Sequence, residues 1–415
     1  MKTKVMLSLI FLFIQVLAVH GQDTTLTLHN AVEFAYSNNT SLQQLKAQLK
    51  QQQEVWRTET GISPPEISYF REGIQTTLPE DIFDEQRITV SQEIDFPLTT
   101  LYRLRALKQQ VLAIEYRITA LEREIKSEVK MKYIDVLYAL YLQKSKQEQL
   151  KIADELYNAV FAKVETGMAT GVDLVNAELQ REQARNALDE SEWTLHEARY
   201  GLFYAMGLPA EEQKYSIAFS DTLRTNDVGI TQIQSLDLQE EQPEYLAVEH
   251  ELSAADFYLK EAKSNILPDI GFSLYKQDYG DGFKYKGFEV GLSIPLWYPF
   301  EQKGKISMAK AEKEKLGWKQ AGVKLEMKKN IEYAWHNYSV SRRIMERYNE
   351  TMKSKAERLR SMALKAYQIG ELDLLELLNA QQTYINSEQN YLSALRNYYI
   401  QLAAMEKYFN IDLVY

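Results

Sequence analysis

The residues that could carry bond chemistry are few in this chain, and none is arranged to do so. Five histidines, His20, His29, His196, His250 and His336, show no metal-ligand spacing. His196-Glu197 and His250-Glu251 each lack the second histidine of a zinc-binding helix. Cysteine is absent, which removes thiolate ligands, disulfides and an N-terminal lipid anchor. No phosphate-cradling glycine loop or nucleophile elbow occurs, and the eleven methionines are scattered as core fillers are. Neither an enzyme, a cofactor nor a metal site is expected. A net charge of -10 offers no footprint for nucleic acid. What remains is a group of carboxylates, Glu371, Asp373 and Glu376, beside Gly370. Repeated about a symmetry axis they would form rings that favour cations and repel anions. Acids at helix starts, Asp173 included, serve equally well as caps and solubilising groups, and the pattern leaves both readings open.

The elements that hold these acids emerge when the chain is compared with itself. Pro65-Glu66-Ile67 corresponds to Pro268-Asp269-Ile270, and Gly167 with Asp173-Leu-Val-Asn-Ala177 corresponds to Gly370 with Glu376-Leu-Leu-Asn-Ala380, at a shared offset of about 203 residues. Each half reads helix, strand, turn, strand, very long helix, tight turn, helix. The long helices, Leu98 to about Lys163 and Lys305 to Ile369, could each run about 100 Å. Leu104, Leu107, Val111, Ile114, Ile118, Leu121 and Ile125 make a narrow coiled-coil stripe, and Leu377 to Phe409 repeats the rhythm. The return helices are Val172 to Met206 and Leu374 to Asn410, and the turns between, Thr166 to Gly171 and Gly370 to Asp373, need glycine at Gly167 and Gly370 to reverse the chain. Helices are also expected at His29 to Thr60 and Leu238 to Asn265.

The strands are short and one-sided. Ile88, Val90, Ile94 and Phe96 alternate with polar residues, interrupted by Gln92; Ile270, Phe272 and Leu274 do the same. Phe288, Val290, Leu292, Ile294 and Leu296 form the clearest run, followed by Trp297 and Tyr298. One face suits lipid and the other a wet lumen. Four strands cannot close a barrel, and open edges would leave backbone groups without partners in lipid at several kcal/mol each. The chain must then oligomerise, with eight strands as a dimer or twelve as a trimer. At the start, Lys2 and Lys4 before the apolar run Val5 to Val19 read as an export signal cleaved before Gln22. The organisation is thus a signal at 1–21, a first repeat at 22–207 with a β-hairpin at about 64–97, an irregular segment at 208–242, and a second repeat at 243–415 with a β-hairpin at about 268–297.

This plan, with Asn38-Asn39, Ile294-Pro295-Leu296 and the two Gly...Asn-Ala turns, resembles the TolC family of outer-membrane efflux proteins over nearly the whole mature chain. The segment Ser91-Gln-Glu-Ile-Asp-Phe-Pro97 is also similar to members tied to heavy-metal efflux, the cobalt-zinc-cadmium branch. The resemblance implies a mainly α fold in which a homotrimer joins an α-helical barrel to a 12-stranded β-barrel. It implies an outer-membrane location with the helical tube in the periplasm. Partners would be a periplasmic adaptor (membrane fusion protein) and an inner-membrane pump of the resistance-nodulation-division type, besides outer-membrane lipid. It implies that the positions of Glu376 and Asn379 line the periplasmic entrance, that Asp173 and Tyr367 help to hold it shut, and that the turns at Gly167, Gly171, Gly370 and Leu372 meet the adaptor. Two departures stand out: Asn379 is neutral where an acid is common, and Leu372 stands where an arginine is expected. The rival readings are a type I protein secretion duct and a periplasmic coiled-coil scaffold or adaptor.

Overall fold

In the computed structural model, which describes residues 26–74, 83–209, 238–294 and 301–414, local sequence rules decide where each element begins and ends. The expected export signal, most of the 208–242 segment, and Leu296, Trp297 and Tyr298 lie outside the described residues. The first helix, α1 (Leu28–Asn38), is capped by Thr27, whose hydroxyl accepts from the Asn30 amide. The single helix expected from His29 to Thr60 is broken at Asn39. That residue leaves helical geometry and turns its side-chain oxygen to the Leu42 amide, capping α2 (Thr40–Glu54).

Two hairpins, β1 (Glu66–Glu72) with β2 (Glu85–Ile94) and β3 (Asp269–Asp278) with β4 (Tyr285–Ser293), form one antiparallel sheet in the order β1-β2-β3-β4. Gly280 and Gly282 take positive φ in the turn before β4, and Asp278 Oδ1 accepts from the amides of Gly280, Asp281 and Gly282. The sheet is followed by α3 (Pro97–Glu165), a continuous 69-residue helix with proline at its first position, and by α4 (Gly171–Ala205). The second half supplies α5 (Pro243–Ser264), α6 (Glu301–Arg347), α7 (Lys353–Ile369) and α8 (Leu374–Phe409). The long helix expected from Lys305 to Ile369 is interrupted by one π turn, Tyr348–Met352.

Packing divides the chain into two units, each drawing on both sequence repeats. One is built from the segments before Gln44, between Leu121 and Leu238, and after Asn330; the other from Gln44–Ala120 and Gln239–Lys329. The second unit contains the sheet. There Arg103 on α3 reaches Glu261 on α5 at 2.7 Å and Asp95 at 2.8 Å, and Thr99 and Ser264 share a buried hydroxyl contact at 2.9 Å. Glu251 on α5 accepts from Lys319 on α6 at 2.7 Å and from Arg117 on α3. Burial pushes the Glu251 carboxyl up, but its two cations more than offset this and hold it below the usual range.

In the first unit, Gly207 closes the return of α4 with φ of 70°. A Cβ there would stand 2.7 Å from the Asn38 carbonyl oxygen, which is main chain and cannot swing aside. Gly207→Ala is therefore expected to cost at least about 2 kcal/mol from the left-handed backbone, with the clash in addition. Gly167→Ala meets open space and should cost only the strain, so thermal melts of the two variants separate the effects.

The same unit holds a buried ion pair. Lys130 on α3 is 5% exposed and lies 2.5 Å from Glu406 on α8. Its ammonium also donates to the Val414 carbonyl at 2.7 Å, while Glu406 accepts from the amides of Leu413 and Val414. The chain after α8 is thus pinned against the helices, with Leu413 and Val414 fully buried.

Candidate functional site

The register of the sheet puts its apolar residues on one face. Residues directly opposite each other point the same way, so Ile67, Val90, Leu274 and Phe288 form one row, Gln92, Phe272 and Val290 the next, and Ile94, Ile270 and Leu292 a third. The opposite face carries Ser68, Thr89, Tyr275 and Gly287 in one row and Glu66, Ser91, Ser273 and Glu289 in another. Ile67 is 75% exposed, Phe288 72% and Val290 61%, an amount of uncovered hydrocarbon that water does not tolerate over a contiguous sheet. Gln92, the interruption in the pattern, folds back so that its amide donates to the carbonyls of Ser63 and Glu93. Phe96 lies beyond the end of β2, half-buried, where its amide donates to Asp269 and its carbonyl accepts from Thr99 at the start of α3. Ile294 lies one residue past β4 and is exposed.

The expected hairpin tips come together in the first unit. Gly167 and Gly370 take φ of 73° and 83°, reversing the chain after α3 and α7. Leu156, Val160, Ala177, Ala363, Tyr367, Leu374 and Leu377 form a buried cluster between the helices, and Leu372 packs on it. Tyr367 is 5% exposed. Burial pushes its phenol up, and the negative charge of Asp173 adds to this, so the hydroxyl keeps its proton in neutral water. Lys163, from the last turn of α3, sits 3.8 Å from the centre of the Tyr367 ring and donates to the Tyr367 carbonyl at 2.7 Å. It places a cation at the carbonyl end of α7, where the helix dipole favours one. Leu372, at the position where an arginine partner for Asp173 is expected, packs as hydrocarbon on the cluster, and the cation beside Tyr367 is Lys163.

The corresponding acids of the two tips do different work. Asp173 accepts from both the amide and the hydroxyl of Thr170 at 2.8 Å, closing a capping box at the start of α4. In the second tip the cap is Asp373, which accepts from the Glu376 amide at 2.8 Å. Among the described residues the side chains of Glu371, Glu376 and Asn379 carry no ion pair and stay exposed; Gly171 is likewise exposed. Val172, Val175 and Leu179 on α4, at steps of three and four, leave an uncovered apolar stripe, and Met168 in the turn before the helix is exposed as well.

Of the histidines, His250 has a structural role. His250 stacks on Tyr116 with ring centres 5.2 Å apart and shares a hydrogen bond with Gln109. No group of histidines and acids among the described residues could hold a metal ion, and no described helix is long and apolar enough to cross a membrane.

Comparison with known proteins agrees with this architecture. The family model for outer membrane efflux proteins matches residues 236–410. The outer membrane efflux protein BepC of Brucella suis biovar 1 (strain 1330) is 22% identical over 376 residues, covering 86% of this chain and 80% of BepC. Among solved structures, a membrane protein from Pseudomonas aeruginosa superposes with a TM-score of 0.79 at 19% identity, covering 92% of each chain. The outer membrane protein VceC of Vibrio cholerae superposes with a TM-score of 0.78 at 16% identity, covering 91% of this chain and 95% of VceC. The fold is that of these membrane proteins, mainly α with a small β portion, and residues 236–410 are similar to the family of outer membrane efflux proteins.

Proposed function

We propose that the chain is the exit duct of a tripartite efflux system, working as a homotrimer whose twelve strands close a barrel in the outer membrane. The observation that carries this reading is the sheet: four strands, one face of exposed hydrocarbon, and β1 and β4 each with an edge that no described strand pairs. Lipid accepts that face only if copies join edge to edge. A soluble periplasmic scaffold would have no use for it. The uncovered stripe from Val172 to Leu179 supports helix packing against neighbouring copies or against a periplasmic adaptor. An inner-membrane pump of the resistance-nodulation-division type would feed small molecules or metal ions into the tunnel.

Within this reading the entrance is lined by the second tip. Asp173 and Asp373 are engaged as caps, while Glu376 and Glu371 face water, so the selective ring falls to Glu376, with Glu371 beside it. Tyr367 and Lys163 tie the two tips and hold the entrance narrow. Planar-bilayer recording tests both levels. The wild-type protein should give cation-preferring channels, and Glu376→Gln should weaken the preference and any block by divalent ions several-fold. Absence of any conductance overturns the duct; unchanged selectivity in Glu376→Gln removes this residue from the ring.

A further inference from the structure

At the turn end of the sheet, the outward face stops being apolar in one row. Tyr69, Ile88, Lys276 and Lys286 lie side by side there, immediately beyond the row of Ile67, Val90, Leu274 and Phe288. Lys276 and Lys286 are direct cross-strand partners on β3 and β4, and both are exposed. Opposed like charges about 5 Å apart are unfavourable in a sheet, so an uncompensated pair is informative. On this face Asp278, two residues along β3 from Lys276, is bonded to Gln86 at 2.7 Å and to the three turn amides. Asp281 in the turn pairs with Lys284 at 3.5 Å. Among the described residues, no acid pairs with Lys276 or Lys286.

We propose that Lys276 and Lys286 form a seat for the phosphate of a phosphorylated lipid head group, whose acyl chains lie along the rows of Leu274, Phe288 and Val290. The inference rests on the reading of this face as lipid-facing. The geometry fits the occupant: two ammonium groups meet a doubly charged phosphate at the level where hydrocarbon ends, and the apolar rows below accept the chains. Tyr69, in the same row, donates its hydroxyl to Gln86 at 2.8 Å and lies one row from Ile67 and Val90, a placement that suits a membrane interface.

The test uses the full-length protein in phosphatidylcholine vesicles containing a small fraction of either diphosphoryl lipid A or its phosphate-free counterpart. Bound lipid is counted by native mass spectrometry after extraction. The wild-type protein should retain the phosphorylated form about tenfold over the other, each lysine near a charged surface contributing several-fold. The double variant Lys276→Gln, Lys286→Gln should lose this preference, and Lys276→Arg, Lys286→Arg should keep it. Glutamine relieves the repulsion, so both variants should insert as well as wild type. Insertion without any phosphate preference, or a preference that survives the glutamine pair, overturns the seat alone. Failure of the wild-type protein to insert into phosphatidylcholine overturns the lipid-facing reading of the sheet, and the seat with it.

Discussion

Lys130→Met should destabilise the helical unit by about 3–5 kcal/mol, because it leaves the Glu406 carboxylate buried without its cation. Glu406→Ala should cost more. It takes the buried carboxylate from Lys130, which keeps Asp412 at 3.3 Å and the Val414 carbonyl, and it also removes the acceptor for the Leu413 amide at 2.6 Å and the Val414 amide, each orphaned donor adding about 1–3 kcal/mol. The control is Lys126, which pairs with Asp412 at a solvent-exposed position. Lys126→Ala should stay within about 1 kcal/mol, since exposed pairs are screened. Urea titrations followed by circular dichroism give the ordering. Hydrogen exchange at Leu413 and Val414 gives the local reading, with protection lost first in Glu406→Ala. Equal, small effects from all three variants would mean that the tail is held by its apolar contacts and not by the ion pair.

Val290→Arg is the second large effect. Val290 lies in the middle of the exposed apolar band, opposite Phe272, where a cation at the bilayer centre costs about 2–4 kcal/mol in every copy. The folded, heat-modifiable fraction recovered in phosphatidylcholine vesicles should fall sharply. Glu289→Gln, one residue away on the polar face, should fold as wild type does. If Val290→Arg inserts normally, that face does not meet lipid.

Much of this architecture was legible because its signals are local. The alternation from Phe288 to Leu292 needs only a period of two, and the reversals at Gly167 and Gly370 need only a residue that tolerates left-handed backbone. Pro97 and Pro243 begin helices because their fixed φ suits the first helical position, and Pro243 moves the start of α5 to five residues after the expected Leu238, which lies in a separate 3-10 turn. What escaped the sequence depends on contacts between distant segments or on a side chain competing with the backbone. Asn39 offered its own oxygen to a helix start and split what reads as one periodic stretch. Gln92 appears as a flaw in the strand until its amide is seen on the Ser63 carbonyl. Phe96 continues the alternation on paper, yet the ladder has already ended at Ile94, since the chain must turn there for Pro97 to open α3.

The tips show the same division. The acids could be named from their position near the glycine turns, but nothing in the spacing separates Asp173, held by Thr170, from Glu376, whose carboxylate pairs with no cation among the described residues. Lys163 was invisible as a tip residue because its partner is the Tyr367 carbonyl, some two hundred positions away along the chain. Its only local trace is a basic residue in the last turn of a helix, a placement shared by many lysines with no special role.

The two outer borders of the sheet are unequal. Inside one molecule the ladders join β2 to β3 and β3 to β4 over nine residue pairs each, whereas β1 offers seven residues to whatever adjoins it. In a ring of identical copies every seam is therefore the same, β4 of one molecule against β1 of the next, and every seam is shorter than the two longer joints within a molecule. The β1–β2 joint inside a molecule is equally short, at seven pairs, but a substitution on the free border of β1 would weaken every seam of the proposed ring at once.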